Sequence, residues 1–203
     1  KAFKDAAGLP VVLSRGLWSN LETWKDFGVS LASEEARDTW LIEITGGPDT
    51  DCADDETDDC PNYNFTTLTD DYVPALLNKV LTETGKSKLQ FVGFSNGCRS
   101  VLSSLEAGEF APSKVETFVG VGCPGAFSQI SYFADQVKDN GEEAIQNMEA
   151  KGLKHVTFGQ VANELGTFAG NIVAFFSLFD DEASKVSLAL FKDYFDFINS
   201  TLD

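Results

Sequence analysis

Hydrophobic and polar positions alternate between two periods along the first 126 residues. Pro10-Val-Val-Leu-Ser14 is a short apolar, β-branched run, the signature of a strand buried on both faces of a parallel sheet. Arg15-Gly-Leu-Trp-Ser-Asn20 follows as a turn. Leu21, Trp24, Phe27 and Leu31 then recur at three- and four-residue spacing and predict a helix with that apolar stripe. Thr39–Ile44 reads as a second strand, stopped by Gly46-Gly47-Pro48. Thr69-Asp70-Asp71 predicts a helix start, and Tyr72, Leu76, Leu77, Val80 and Leu81 carry the helix to Gly85. Leu89–Gly93 is a third strand, Cys98–Ala107 a helix ended by Gly108, and Lys114–Gly122 a fourth strand.

Strands separated by helices require right-handed crossovers, which places the chain in the α/β class: a parallel sheet sandwiched by helices. The pattern changes after residue 126. From Phe127 to Asp203 the periodicity is helical, with one ambiguous strand candidate, His155–Phe158. This stretch is rich in Phe, at 158, 168, 175, 176, 179, 191, 195 and 197. Most of these rings are expected in a core, and some could line an apolar pocket. Residues 1–126 are thus read as an α/β core and 127–203 as a mostly helical segment. The chain starts at Lys1 without Met and shows no signal peptide, and a helical pattern runs to its last residue. A processed form or an excerpt of a longer protein is expected.

Composition narrows the partners. The 203 residues are 43% hydrophobic and 23% charged, which suits a folded globular chain. Fifteen Lys and Arg against 32 Asp and Glu give a formal net charge of −17, which repels phosphate backbones and argues against nucleic acid as a partner. No apolar run reaches the roughly 18 residues of a membrane span. Seventeen Phe and three Trp need burial, which argues against disorder.

Four cysteines stand at 52, 60, 98 and 123. Cys52 and Cys60 bracket the acidic loop Cys52-Ala-Asp-Asp-Glu-Thr-Asp-Asp-Cys60, where a disulfide would hold together charges that repel one another. A metal clip is the alternative, although the spacing fits no zinc pattern well. Asp49, Asp51, Asp54, Asp55, Glu56, Asp58 and Asp59 offer oxygen ligands for Ca²⁺, but the EF-hand Gly and terminal Glu are missing, and a solvated charge run is the simpler reading. Cys98 and Cys123 fall among apolar residues and are expected to be separate, small buried hydrophobes. Two glycosylation acceptors occur, Asn64-Phe-Thr66 and Asn199-Ser-Thr201. These features together lean toward a secreted or cell-surface protein.

The chemistry concentrates in Leu89-Gln-Phe-Val-Gly93-Phe94-Ser95-Asn96-Gly97-Cys98, a G-x-S-x-G placed directly after a strand and before a helix. At such a turn the backbone of Ser95 is forced into a strained conformation that lifts its hydroxyl above the sheet edge. Gly93 and Gly97 are needed where strand and helix cross closely. The Asn96 N–H, at the helix N-terminus, can stabilise a developing oxyanion. The simpler alternative is a serine in an ordinary glycine-rich turn.

On this motif the chain resembles the α/β-hydrolase family, in its lipase and esterase branch, over roughly residues 8 to 126. Pro10-Val-Val-Leu-Ser-Arg-Gly-Leu-Trp18 is similar to the strand and loop that in the family ends in His-Gly. The resemblance implies a second oxyanion N–H at Leu17, with Arg15 in place of the usual His. Phe94 replaces a frequent His and Cys98 a frequent Gly. Thr117–Gly125 is similar to the following core strand and its proline-containing exit.

A serine hydroxyl needs a base and an orienting acid to act as nucleophile. The chain has one His, His155, sixty residues after Ser95, and Asp135 or Asp139 lies between them. The family places acid and His after two further core strands, which the sequence does not show between 126 and 155. On the resemblance, 127–203 reads as a helical cap, with the acid and the His beyond Asp203. Two functions remain open. One is a serine hydrolase of carboxylic esters, acting on a small-molecule or lipid ester and calling for no cofactor or metal. The other is a catalytically silent hydrolase-like domain with a binding or assembly role at the cell surface. For the acidic loop, a peptide mass map without reductant is expected to recover Cys52 and Cys60 joined, and alkylation of both thiols under those conditions removes that disulfide.

Overall fold

In a computed structural model of the chain, which describes residues 8–43, 62–125, 132–165 and 185–201, the apolar runs pair as parallel strands. β1 (Val11–Ser14), β2 (Thr39–Ile42), β3 (Leu89–Phe94) and β4 (Val115–Val121) form one sheet in the order β2-β1-β3-β4. The parallel α/β class predicted from the alternation is the one observed. Val12, Leu13, Leu89 and Phe91 have no exposed surface, as expected for a sheet covered on both faces. The winding goes outward from β1 to β2, returns past β1 to β3 and continues to β4. Its direction therefore reverses between β1 and β3, the point at whose carboxyl ends open α/β sheets characteristically bind ligands. Register aligns Ser14 with Gly93, so the residues leaving β1 lie beside those leaving β3.

The helices around this sheet differ in detail from the sequence pattern. α1 (Glu22–Ser33) buries Gly28 and Ala32, whereas Phe27 of the expected stripe is 47% exposed and rests its ring 5.7 Å from that of Trp24. The reason is a close approach. A Cβ at Gly28 would stand 3.0 Å from Leu41 and 3.4 Å from Leu13, so the helix touches β1 and β2 at a position without a side chain. Rotating that position inward turns Phe27 outward. The helix expected to start at Thr69–Asp71 begins earlier, with α2 (Phe65–Thr67), and passes through a π-helical stretch, Leu68–Tyr72, into α3 (Val73–Thr84). Pro74 has no N–H to give to the turn before it, and the wider π turn accommodates its ring. α3 ends at Gly85 in the left-handed region (φ 65°), as predicted. α4 (Asn96–Ala107) starts directly after β3 and ends at Gly108.

The chain forms two compact units, the first of Lys1–Ile44 with Thr66–Pro124 and the second of Thr45–Phe65 with Gly125–Asp203. In the second, α5 (Tyr132–Ala150), β5 (His155–Thr157), α6 (Phe158–Glu164), β6 (Lys185–Ser187) and α7 (Leu188–Thr201) are described. β5 and β6 pair antiparallel. β5 matches the ambiguous strand candidate, but β6 has no sequence signal, because its three residues run into α7 without a turn residue between them. Met148, Val156, Val161, Leu190 and Ile198 are almost fully buried, together with Phe158, Phe191 and Phe195, so these three rings are core. The Asn62–Phe65 stretch is tied to this unit by Ser187, whose hydroxyl donates to Asn62 Oδ1 (2.6 Å), and by Asp193, whose Oδ2 accepts from the Phe65 N–H (2.7 Å). Phe168, Phe175, Phe176 and Phe179 lie outside the described residues.

The expectation of separate buried thiols at Cys98 and Cys123 is overturned: the two are joined in a disulfide across 25 residues. α4 starts right behind β3 and Cys123 lies just past β4, so the pairing of these strands brings both residues to one place, with Cα atoms 5.4 Å apart. That span suits a disulfide. Cys52, Cys60 and the acidic loop between them lie outside the described residues. Removing the observed bridge in a Cys98→Ala/Cys123→Ala variant is expected to cost about 3 kcal/mol of stability, given the length of the loop it closes. Urea unfolding of the variant against the parent chain measures this.

Candidate active site

Ser95 occupies the junction of β3 and α4 at the reversal point of the sheet. Its backbone has φ 50° and ψ −121°, a region that non-glycine residues avoid at a cost of about 1–3 kcal/mol. Three main-chain hydrogen bonds hold it there. The Ser95 N–H donates to Val121 O (2.9 Å), and the Ser95 carbonyl accepts from the N–H groups of Cys98 (3.0 Å) and Arg99 (3.1 Å). The strain is thus fixed from both sides, by β4 and by the first turn of α4. Ser95 is half-buried, which leaves part of its surface open to solvent.

The flanking glycines are required by space. A Cβ at Gly97 would lie 2.2 Å from the Arg15 carbonyl oxygen and 2.6 Å from Ser14 Oγ. One at Gly93 would lie 2.7 Å from Cys98 Cα. The elbow therefore presses against two backbones, that of its own helix and that of the loop leaving β1.

Asn96 is the first residue of α4, so its N–H is among those a helix leaves unpaired, at the positive end of the helix dipole. Its side chain is buried, and neither amide atom has a hydrogen-bond partner. Leu17 lies in the loop after β1, and its N–H has no partner among the described residues. Two unpaired main-chain donors thus stand at the two loops that meet beside Ser95. The structure brings together Ser95, Asn96, Gly93, Gly97 and the Leu17 loop in the first unit.

The other residues proposed from sequence belong to the second unit. His155 is the first residue of β5, half-buried and opposite Ser187 in the strand pairing. Asp135 and Asp139 lie on α5, and Asp139 is exposed. Among the described residues no group of three His, Cys, Asp or Glu side chains is arranged to hold a metal, and no helix is long and apolar enough to cross a membrane.

Sequence reasoning missed one partner at this site. Arg15, in place of the family's His, is 1% exposed and pairs with Glu43 just beyond β2, Nε to Oε1 2.8 Å. The available signal was Glu43 itself, a charge set between Ile42 and Ile44 at the end of an apolar run. Such a charge in a covered sheet requires a partner.

Comparison with known proteins places this geometry. No known family profile matches the chain. A probable lipase of Schizosaccharomyces pombe is 29% identical over 93 residues, which are 43% of this chain and 20% of that protein. A carboxylesterase structure from the ammonia-oxidising thaumarchaeon Nitrososphaera gargenis aligns with a TM-score of 0.57 and 18% identity over 98% of this chain and 66% of its own. The monoacylglycerol lipase of Paleococcus ferrophilus aligns with a TM-score of 0.51 and 14% identity over 95% of this chain and 66% of its own. This chain thus spans a fifth of the curated relative and just under two thirds of the similar structures. These likenesses show that the chain has the α/β-hydrolase fold.

The crowding at the elbow makes a direct prediction. Gly97→Ala is expected to lower stability by about 1–3 kcal/mol or more, because the new methyl meets main chain that cannot yield. Thermal unfolding of the variant checks it, and an unchanged melting temperature contradicts the close approach.

Proposed function

We propose that this chain, built on the α/β-hydrolase fold, is the part of a serine ester hydrolase that carries the nucleophile. The observation that supports this most is the strained backbone of Ser95, held between β3 and α4 at the reversal point of the sheet. In this reading Ser95 Oγ attacks the carbonyl carbon of a carboxylic ester. The carbonyl oxygen takes on negative charge, and the N–H groups of Asn96 and Leu17 stabilise it. The alcohol leaves with a proton, and water then hydrolyses the acyl-serine to release the acid. His155, the one histidine of the sequence, is the candidate base, with Asp135 as its orienting acid, on sequence grounds. The substrate class is a small-molecule or lipid ester. The lipase and esterase names among the similar proteins support that class.

The protein is read as secreted or exposed at the cell surface. The Cys98–Cys123 disulfide and the exposed Asn64 of the Asn64-Phe-Thr66 acceptor support this. A silent hydrolase-like domain with a binding role is the second reading. It is favoured by the absence of any histidine from the unit that carries Ser95.

A fluorophosphonate probe separates the two readings. The expected result is covalent labelling at Ser95, lost in Ser95→Ala and slowed at least tenfold in His155→Ala if His155 is the base. Labelling that persists in Ser95→Ala removes the nucleophile assignment. No labelling of the parent chain, alone or within the longer protein, favours the silent domain.

A further inference from the structure

The loop between β1 and α1 contains more fixed geometry than a connection of its length needs. The Gly16 carbonyl accepts two side-chain hydrogen bonds, from Arg15 Nη1 (3.1 Å) and from Ser19 Oγ (3.2 Å). Both donors are buried, at 1% exposure each. Arg15 is itself anchored by the ion pair with buried Glu43. Two residues past Gly16, Trp18 is buried and lies in the left-handed region at φ 56°. Gly16 has no room to move toward the nucleophile. A Cβ there would lie 2.9 Å from the Phe94 ring and 3.2 Å from Ser95 Cβ.

We propose that Arg15 and Ser19 are positioning residues: by clamping the Gly16 carbonyl they set the direction of the Leu17 N–H. The physical link is the peptide plane. The Gly16 C=O and the Leu17 N–H belong to one planar trans peptide, so they point in opposite directions and cannot turn independently. Two donors on the oxygen therefore fix the hydrogen on the other side. The Leu17 N–H has no hydrogen-bond partner among the described residues, so the hydrogen bonds on this peptide are those to the Gly16 oxygen. Glu43 completes the device. Without it the Arg15 guanidinium would be a buried, uncompensated charge, and the arginine would not keep its place. Arginine suits this role because its fork reaches two acceptors at once, Nε toward Glu43 and Nη1 toward the carbonyl. Lysine in its place has a single ammonium and no second arm.

The inference rests on the proposed serine hydrolase, and the experiment keeps the two apart. Hydrolysis of p-nitrophenyl acetate is measured for the chain in its full-length protein, with Ser95→Ala as the reference for the reaction itself. Turnover that does not depend on Ser95 overturns the enzyme reading, and the clamp as an oxyanion device falls with it. Where turnover depends on Ser95, Ser19→Ala is expected to lower kcat roughly three- to tenfold and Arg15→Lys roughly ten- to hundredfold, with KM within twofold. These losses lie below the full loss of one oxyanion donor because the N–H is still present but misdirected. An unchanged kcat in Ser19→Ala, or a change confined to KM, overturns the proposal while leaving the enzyme reading intact. If Arg15→Lys does not fold, Ser19→Ala decides alone. A readout independent of turnover is the Leu17 backbone amide in an ¹⁵N-resolved NMR spectrum. One sharp signal is expected in the parent chain and a shifted or broadened one in Ser19→Ala, and identical signals overturn the clamp.

Discussion

The first unit is organised by a contact with no spare room, where the start of α4 meets the loop leaving β1. The Arg15 carbonyl lies where a Cβ on Gly97 would have to go, and a Cβ on Gly16 would stand only 3.2 Å from Ser95 Cβ. Packing at this density fixes both backbones at once, because neither can shift without displacing the other. The order β2-β1-β3-β4 makes the contact possible by placing β1 and β3 side by side at the point where the winding reverses. Short strands suffice for this, since only their carboxyl ends need to be aligned.

Several separate bonds then hold the strained residue in place. The Ser95 N–H is tied to β4, and its carbonyl is tied to the first turn of α4. The disulfide from Cys98 to Cys123 joins the same two elements covalently, three residues past the serine on one side and two past Val121 on the other. The backbone hydrogen bonds and the covalent link therefore oppose the same relaxation, in which α4 would drift away from β4 and Ser95 would return to an ordinary conformation. A strained residue persists only where its surroundings over-determine it, and that condition is met here. The buried, unpartnered amide of Asn96 adds a further local cost that the fold carries at this point.

The loop after β1 is held by different means. Its carbonyl at Gly16 is fixed by side chains, and Trp24 Nε1 donates to Ser14 O (2.8 Å) just before it. A buried ion pair contributes little net stability to a fold, yet removing one partner costs about 3–5 kcal/mol because the other charge is left without compensation. Such a pair is better suited to fixing a position than to adding stability. That is how Arg15 and Glu43 are arranged at the ends of β1 and β2.

The sequence by itself determined the four parallel strands, the helices between them and the position of Ser95. Each of these depends on local information: β-branched runs, glycine stops after α3 and α4, and a G-x-S-x-G between a strand and a helix. It misplaced what depends on contacts between distant residues. The stripe of α1 is rotated because Gly28 touches the sheet, the helix before α3 starts early because of a π turn ahead of Pro74, and β6 exists because β5 is there to pair with it. The cysteines show the difference most directly. Spacing drew attention to Cys52 and Cys60, whereas Cys98 and Cys123, each set among apolar neighbours, became partners only when β3 and β4 paired. Arg15 and Glu43 likewise read as one odd residue in a motif and one odd charge after a strand. Only the tertiary structure made them a pair, because adjacency in a parallel sheet is set by the winding of the chain and not by distance along it.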